Sequence, residues 1–220
     1  MTTSTVPDLS LAWRDLAGSG PEAQALGRDL LERWTEPHRR YHTRDHLRAV
    51  LANVDELGGL ATDVSAVRYA AWFHDAVHNG DPGEDEERSA LLAEETLPRC
   101  GVSVERVAEV ARLVRLTATH QPADDDPNGR VLCDADLAVL AGQPSDYLAY
   151  TTAVREEYAH VPDAEFRRGR AEVLRRLLEA PRLFHTPLGR ARWEDRARVN
   201  VRAELLRLEN GASASASSQP

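Results

Sequence analysis

The sequence predicts an all-α fold, and three observations carry that prediction. Apolar residues recur at helical spacing through almost every segment, as in Val50, Leu51, Val54 and Leu57. No alternating β-type run of any length competes with them. Glycine- and proline-containing breaks, such as Gly18-Ser19-Gly20-Pro21 and Gly58-Gly59, divide the chain into helix-sized pieces.

Taken in order, residues 8–17 and 21–35 read as two short helices, with Pro21 at a first-turn position that tolerates proline. Thr43 can cap a helix that runs to Leu57 and stops at Gly58-Gly59. Ser65 can cap the next, which carries Val67, Ala70, Ala71, His74 and Val77 at helical spacing. The run WFHDAVH (72–78) therefore falls inside that helix, and the polar segment NGDPGEDE (79–86) forms a loop after it. Helices near 86–97 and 103–118 follow, the second opened by Ser103 with Glu105 placed to favour its dipole. The loop HQPADDDPNGR (120–130), with Asp124, Asp125 and Asp126 read as solvated acids, leads to a short apolar helix around 131–141. Amphipathic helices near 145–159, 163–179 and 187–208 complete the body, and the tail GASASASSQP (211–220) has a disordered composition.

At 220 residues the chain fits one domain, residues 1–210, and is long enough to bury a proper core. A hydrophobic share of 42% against a charged share of 29% marks a globular body. The net charge of −9 argues against a nucleic-acid polymer as partner. A small anionic substrate stays compatible, because a metal or an arginine cluster reverses the field locally. No stretch of about 18 apolar residues spans a membrane, and the N-terminus lacks a basic segment followed by an apolar one. A cytoplasmic protein without a membrane partner is expected. All 27 basic residues are arginine, which removes lysine Schiff-base chemistry. Cys100 and Cys133 lie far apart and read as small buried thiols in a reducing compartment. No glycine-rich phosphate loop, Ser-His-Asp order or zinc-finger spacing occurs.

The chemistry concentrates at His74-Asp75. Adjacent ionisable groups inside an apolar helix are costly unless both are satisfied. A metal ion meets that cost, since imidazole nitrogen and carboxylate oxygen both ligate first-row transition metals. Upstream, YHTRDHL offers His42 and His46; downstream, LCDADL offers Asp134 and Asp136. Neighbouring helical side chains diverge by about 100°, so His74 and Asp75 cannot both point into a core. They can still converge on one ion beside the helix. Ligands drawn from three helices would leave positions open for water and substrate, as a catalytic metal requires.

The ordered set YHTRDHL, WFHDAVH and DADL, with His46, His74-Asp75 and Asp136, resembles the signature of the HD superfamily of metal-dependent phosphohydrolases. It is similar in particular to a little-studied bacterial branch, over roughly residues 41–141. The resemblance implies an HD-type helical bundle with additional helices at both ends. It implies that His46, His74, Asp75 and Asp136 bind one divalent metal, which activates water to attack phosphorus. Asp75 would also orient that water. The substrate expected is a small phosphorylated, nucleotide-like molecule whose ester or anhydride bond is cleaved. The metal can be Mn, Fe, Co, Zn, Ni or Mg, because a His2Asp2 set does not choose among them. The alternative is a non-catalytic HD module that binds metal or nucleotide. A homo-oligomer is left open.

Rivals exist at several positions. Thr43 as a cap puts His42 outside the helix, so His46 is favoured as ligand and His42 as a substrate or outer contact. The family register favours Asp136, leaving Asp134 solvent-facing or paired with arginine. His78, four residues after His74, can act as general acid or base near neutral pH or simply end the helix. His78-Asn79 stands where some guanosine tetraphosphate hydrolases carry Glu-Asp, which argues against that activity. His120, Arg44, Arg48 and Arg88 are candidate substrate contacts, and Glu86 or Glu87 could orient a metal water. Dinuclear relatives usually supply two extra histidines between the His-Asp pair and the last Asp. Only His78 and His120 lie in that interval, so one metal is expected.

Overall fold

The computed structural model describes residues 8–81 and 83–216, and every regular element among them is helical. The chain divides into two compact units, residues 1–136 and 137–220.

The first unit begins with α1 (Leu9–Ala17) and α2 (Pro21–Arg33). Asp8 caps α1 by accepting from the Ser10 N–H, and Pro21 opens α2. The buried Trp13 indole locks the two together, donating to the Ala23 carbonyl at 2.7 Å. Gly27 allows that approach, since a Cβ there would lie 2.6 Å from Trp13 Nε1.

Thr43 caps α3 (Arg44–Leu57), and a short 3-10 turn, Gly58–Leu60, follows it. α4 (Val64–Phe73) is capped by Asp63, which accepts from the Ala66 N–H at 3.0 Å; Ser65 is not the cap. Asp63 also pairs with Arg106 at 2.8 Å. This helix ends at Phe73, so His74 is its C-cap and Asp75 lies in the turn beyond. The His-Asp pair thus sits at a helix end rather than within a helix.

α5 (Glu84–Thr96), a 3-10 turn (Leu97–Cys100) and α6 (Val104–Leu116, capped by Ser103) follow. α6 packs against both α4 and α5. α7 (Pro127–Leu137) starts several residues earlier than its apolar pattern suggests. Asp126 is no solvated loop acid: it is half-buried, accepts from the Gly129 N–H at 2.9 Å, and pairs with Arg112 at 2.7 Å. The core under these helices includes Trp34, Leu47, Val54, Trp72, Phe73 and Leu113, all buried.

The second unit contains a 3-10 turn (Ala138–Ala141), α8 (Pro144–Glu157), α9 (Asp163–Glu179) and α10 (Pro187–Ala216). α10 packs on α9 and on that 3-10 turn. Arg170 on α9 meets Glu204 on α10 at 2.8 Å and the Tyr150 hydroxyl at 2.9 Å. Glu194 accepts from the Leu183 and Phe184 N–H groups, which pins the segment before α10. α10 is described six residues into the low-complexity tail, and residues 217–220 lie outside the described residues. No helix among the described residues is long and apolar enough to cross a membrane.

Candidate metal centre

Four side chains from three places in the first unit converge on one point. His46 projects from the first turn of α3, His74 and Asp75 from the end of α4, and Asp136 from the last turn of α7. His46 Nε2 lies 3.2 Å from His74 Nε2, 3.1 Å from Asp136 Oδ1 and 3.7 Å from Asp75 Oδ2. His74 Nε2 lies 3.0 Å from Asp75 Oδ2 and 3.6 Å from Asp136 Oδ1. Ligands about 2.0–2.1 Å from a common ion stand roughly 2.9–3.4 Å apart in octahedral or tetrahedral arrangements. The observed separations overlap that range, and His46, His74 and Asp136 form a group that could hold a metal ion.

The hydrogen-bond chemistry supports a cation more directly. His74 Nδ1 lies 2.9 Å from the Ala71 carbonyl, which only accepts, so Nδ1 carries the proton. Neutral His74 therefore turns a bare Nε2 lone pair toward the cluster. His46 Nδ1 meets the Tyr41 hydroxyl at 3.0 Å, which holds the ring with Nε2 toward the cluster. His120 Nε2 meets Asp136 Oδ2 at 2.7 Å, leaving Oδ1 to face the cluster. In its neutral form His74 Nε2 therefore faces the carboxylate oxygens of Asp75 and Asp136 as one acceptor among others, a set that suits a cation. Outer partners of this kind are the usual means of orienting metal ligands.

The electrostatics place the same demand for positive charge on His74 itself. Burial works against charge on His74, yet Asp75 and Asp136 outweigh it and hold its pKa well above the ordinary imidazole value. Burial also dominates at His46 and lowers its pKa. Burial alone would raise Asp75, but His74 and then His42 outweigh it and pull the carboxyl below its usual range. Asp136 is likewise lowered against burial, by His74 and by its bond to His120. Trp34, whose Nε1 donates to the Trp72 carbonyl at 3.1 Å, packs its ring 5.5 Å from His74 and 6.2 Å from His46. It closes one flank of the cluster with apolar surface.

The remaining candidates divide. His42 and His78 lie beside Asp75, with ring centroids 4.1 Å apart. His120 joins through Asp136. Arg44 donates instead to the Leu31 carbonyl at 3.0 and 2.8 Å, tying α3 to the end of α2. Arg48 pairs with Asp45 at 2.6 Å and Arg88 with Glu84 at 2.8 Å, both outside the cluster. Glu86 reaches back to the Gly83 N–H and Glu87 pairs with Arg115. Asp134 is fully buried, which excludes the solvent-facing one of its two expected settings, solvent-facing or paired with arginine.

Several supporting residues carried no signal in the sequence pattern. The Arg39 side chain, 0% exposed, donates to the Asp75 carbonyl at 2.7 Å and to the Ala76 and His42 carbonyls at 3.3 Å. Asp85, buried at the start of α5, accepts from the Asn79, Gly80 and Asp81 N–H groups at 2.8–3.0 Å. Asn53 donates to the Ala135 carbonyl at 3.0 Å and fixes the turn of α7 that presents Asp136.

No protein-family model matches the chain, and neither does any curated protein or solved structure.

Proposed function

We propose that the chain is a metal-dependent phosphohydrolase of the HD type, acting on a small phosphorylated, nucleotide-like substrate. The observation that carries this reading is that His46 Nε2 and His74 Nε2, 3.2 Å apart, each lie 3.0–3.7 Å from both Asp75 Oδ2 and Asp136 Oδ1. A divalent cation held there would supply a Lewis acid for phosphoryl oxygens and a lowered pKa for bound water.

The chain's own groups do the rest. The Ala71 carbonyl and Tyr41 hydroxyl fix the two imidazoles so that Nε2 faces inward. His120 holds Asp136 in register. Asp75 is the most exposed of the four, its side chain 18% accessible against 1% for His74. It is the carboxylate placed to accept a proton from the attacking water and to aim that water at phosphorus. Trp34 packs its apolar ring against both imidazoles.

The test is phosphate release by the full chain from mono-, di- and triphosphate substrates, with added Mn and after chelation. Metal-dependent turnover is expected. Asp75→Ala should lower it by more than the roughly 10–100-fold cost of losing an outer partner. Full turnover in Asp75→Ala would overturn the mechanism. Stoichiometric metal without hydrolysis of any substrate would instead favour a binding module.

A further inference from the structure

A second trio of ligand atoms lies against the first cluster. One atom each from His42, Asp75 and His78 fall within 4.8 Å of one another. Asp75 also reaches the first group, its Oδ2 lying 3.0 Å from His74 Nε2 and 3.7 Å from His46 Nε2, and it has two oxygens to offer. We propose that His42, Asp75 and His78 form a second divalent-cation site, so that the centre takes two ions bridged by the Asp75 carboxylate. This rests on the reading of the primary site given above and extends it.

The donor set is two imidazoles and one carboxylate, which suits a first-row transition metal. A phosphate group in the same place would meet the Asp75 charge, so the trio favours a cation over an anion. None of the three residues lies within a regular helix. His42 immediately precedes the cap of α3, whereas Asp75 and His78 follow the end of α4. Their proximity is therefore no by-product of helical spacing, and each backbone position is separately held. Arg39 grips the carbonyls of His42 and Asp75. His38 Nε2 lies 2.6 Å from the His78 carbonyl. Ser89 accepts from the Val77 N–H at 3.0 Å, and Asp85 secures the N–H groups that follow His78.

The trio supplies three ligands, and His42 and the Asp75 side chain are partly exposed. Open positions on the solvent side suit water or a substrate oxygen. The interval between the His-Asp pair and Asp136 holds too few suitable histidines for two ions. The missing ligand, His42, comes from before His46, where that interval does not reach. On this assignment His78 serves as a ligand and not as a proton donor.

The experiment is Mn titration of the full chain, read by metal analysis and by electron paramagnetic resonance. Two ions per chain with a spin-coupled pair signal are expected. His42→Gln and His78→Gln should each bind one ion, uncoupled, with the tighter step changed by less than about tenfold. The wild-type stoichiometry and coupling decide the matter even if a variant fails to fold. One ion in the wild type, unaffected by either variant, would overturn the second site and leave the first. Two uncoupled ions retained in both variants would also overturn it. No bound ion at all would overturn the primary reading with it.

Discussion

His120 has φ of 52°, in the left-handed region where a non-glycine residue is uncommon. From that backbone its ring meets Asp136 Oδ2 at 2.7 Å, so a local strain is retained where it orients a candidate metal ligand. His120→Ala keeps the Cβ and hence the strain, and should weaken Mn affinity by about 10–100-fold, as for other outer partners. Unchanged affinity by titration would show that Asp136 needs no such support. Arg39 acts on the opposite side. Its guanidinium is fully buried, balanced by Glu36 at 2.9 Å, and it saturates carbonyls that no helix satisfies. Replacing it with methionine would strand those acceptors, at a cost of about 3 kcal/mol. Urea denaturation measures that cost, and a loss below about 1 kcal/mol would contradict the role.

At the scale of elements, the caps show what sequence can and cannot settle. Asp63 and Ser65 are both good capping types ahead of the same apolar run. Asp63 takes the role because it also meets Arg106, which lies 43 residues away and has no local signature. Burial raises the Asp63 pKa, but its bonds to Arg106 and the Ala66 N–H outweigh burial and leave it lowered. A lowered carboxyl stabilises the fold above its unfolded pKa, about 3.9, and that contribution is lost as pH falls through the lower folded value. Asp63→Ala should cost about 1 kcal/mol at neutral pH and flatten the acid limb of the stability profile. Ser65→Ala should change stability by less than about 0.5 kcal/mol; the reverse ranking would restore Ser65 as the cap. The same long-range partners explain why α4 stops at Phe73. The apolar spacing continues to Val77, but the Asp75 and Ala76 carbonyls turn to Arg39 and the Val77 N–H turns to Ser89. Helix existence was legible, and so were the His and Asp residues that the fold brings together as a candidate cluster, because both follow local pattern and residue type. The outer partners Tyr41, Arg39 and Asp85 were not, since each is an ordinary polar residue until the fold brings its target near. Close packing is similarly invisible: Gly27→Ala reads as a gain of about 1 kcal/mol in helix propensity. With Trp13 pinned by its bond to Ala23, the added methyl should instead destabilise by about 1–3 kcal/mol. A higher melting temperature for this variant would show that the Trp13 contact yields easily.

For the molecule as a whole, every proposed ligand lies within the unit of residues 1–136, yet the ligands are spread over 95 positions of sequence, from His42 to Asp136, counting both ends. An ion holding the start of α3, the end of α4 and the end of α7 cannot be bound in that arrangement by an unfolded chain. Its binding free energy therefore adds to the stability of the fold, by about 2.7 kcal/mol at a free concentration 100 times the Kd. For a chain of this size about 1 kcal/mol corresponds to 2–4 °C in melting temperature, so saturation with Mn should raise it by roughly 5–10 °C. Chelation should reverse the shift, because the four ligands keep their outer hydrogen bonds but lose the charge they converge on. His46→Ala removes an Nε2 from the primary cluster and leaves the backbone of α3 intact, so it should abolish most of the shift. Calorimetry of both proteins, each with Mn and with chelator, separates metal linkage from plain structural damage. Damage alone lowers both melting temperatures of the variant equally and preserves the difference between them. A His46→Ala chain that still gains the full 5–10 °C from Mn would mean that the stabilising ion sits elsewhere in the molecule.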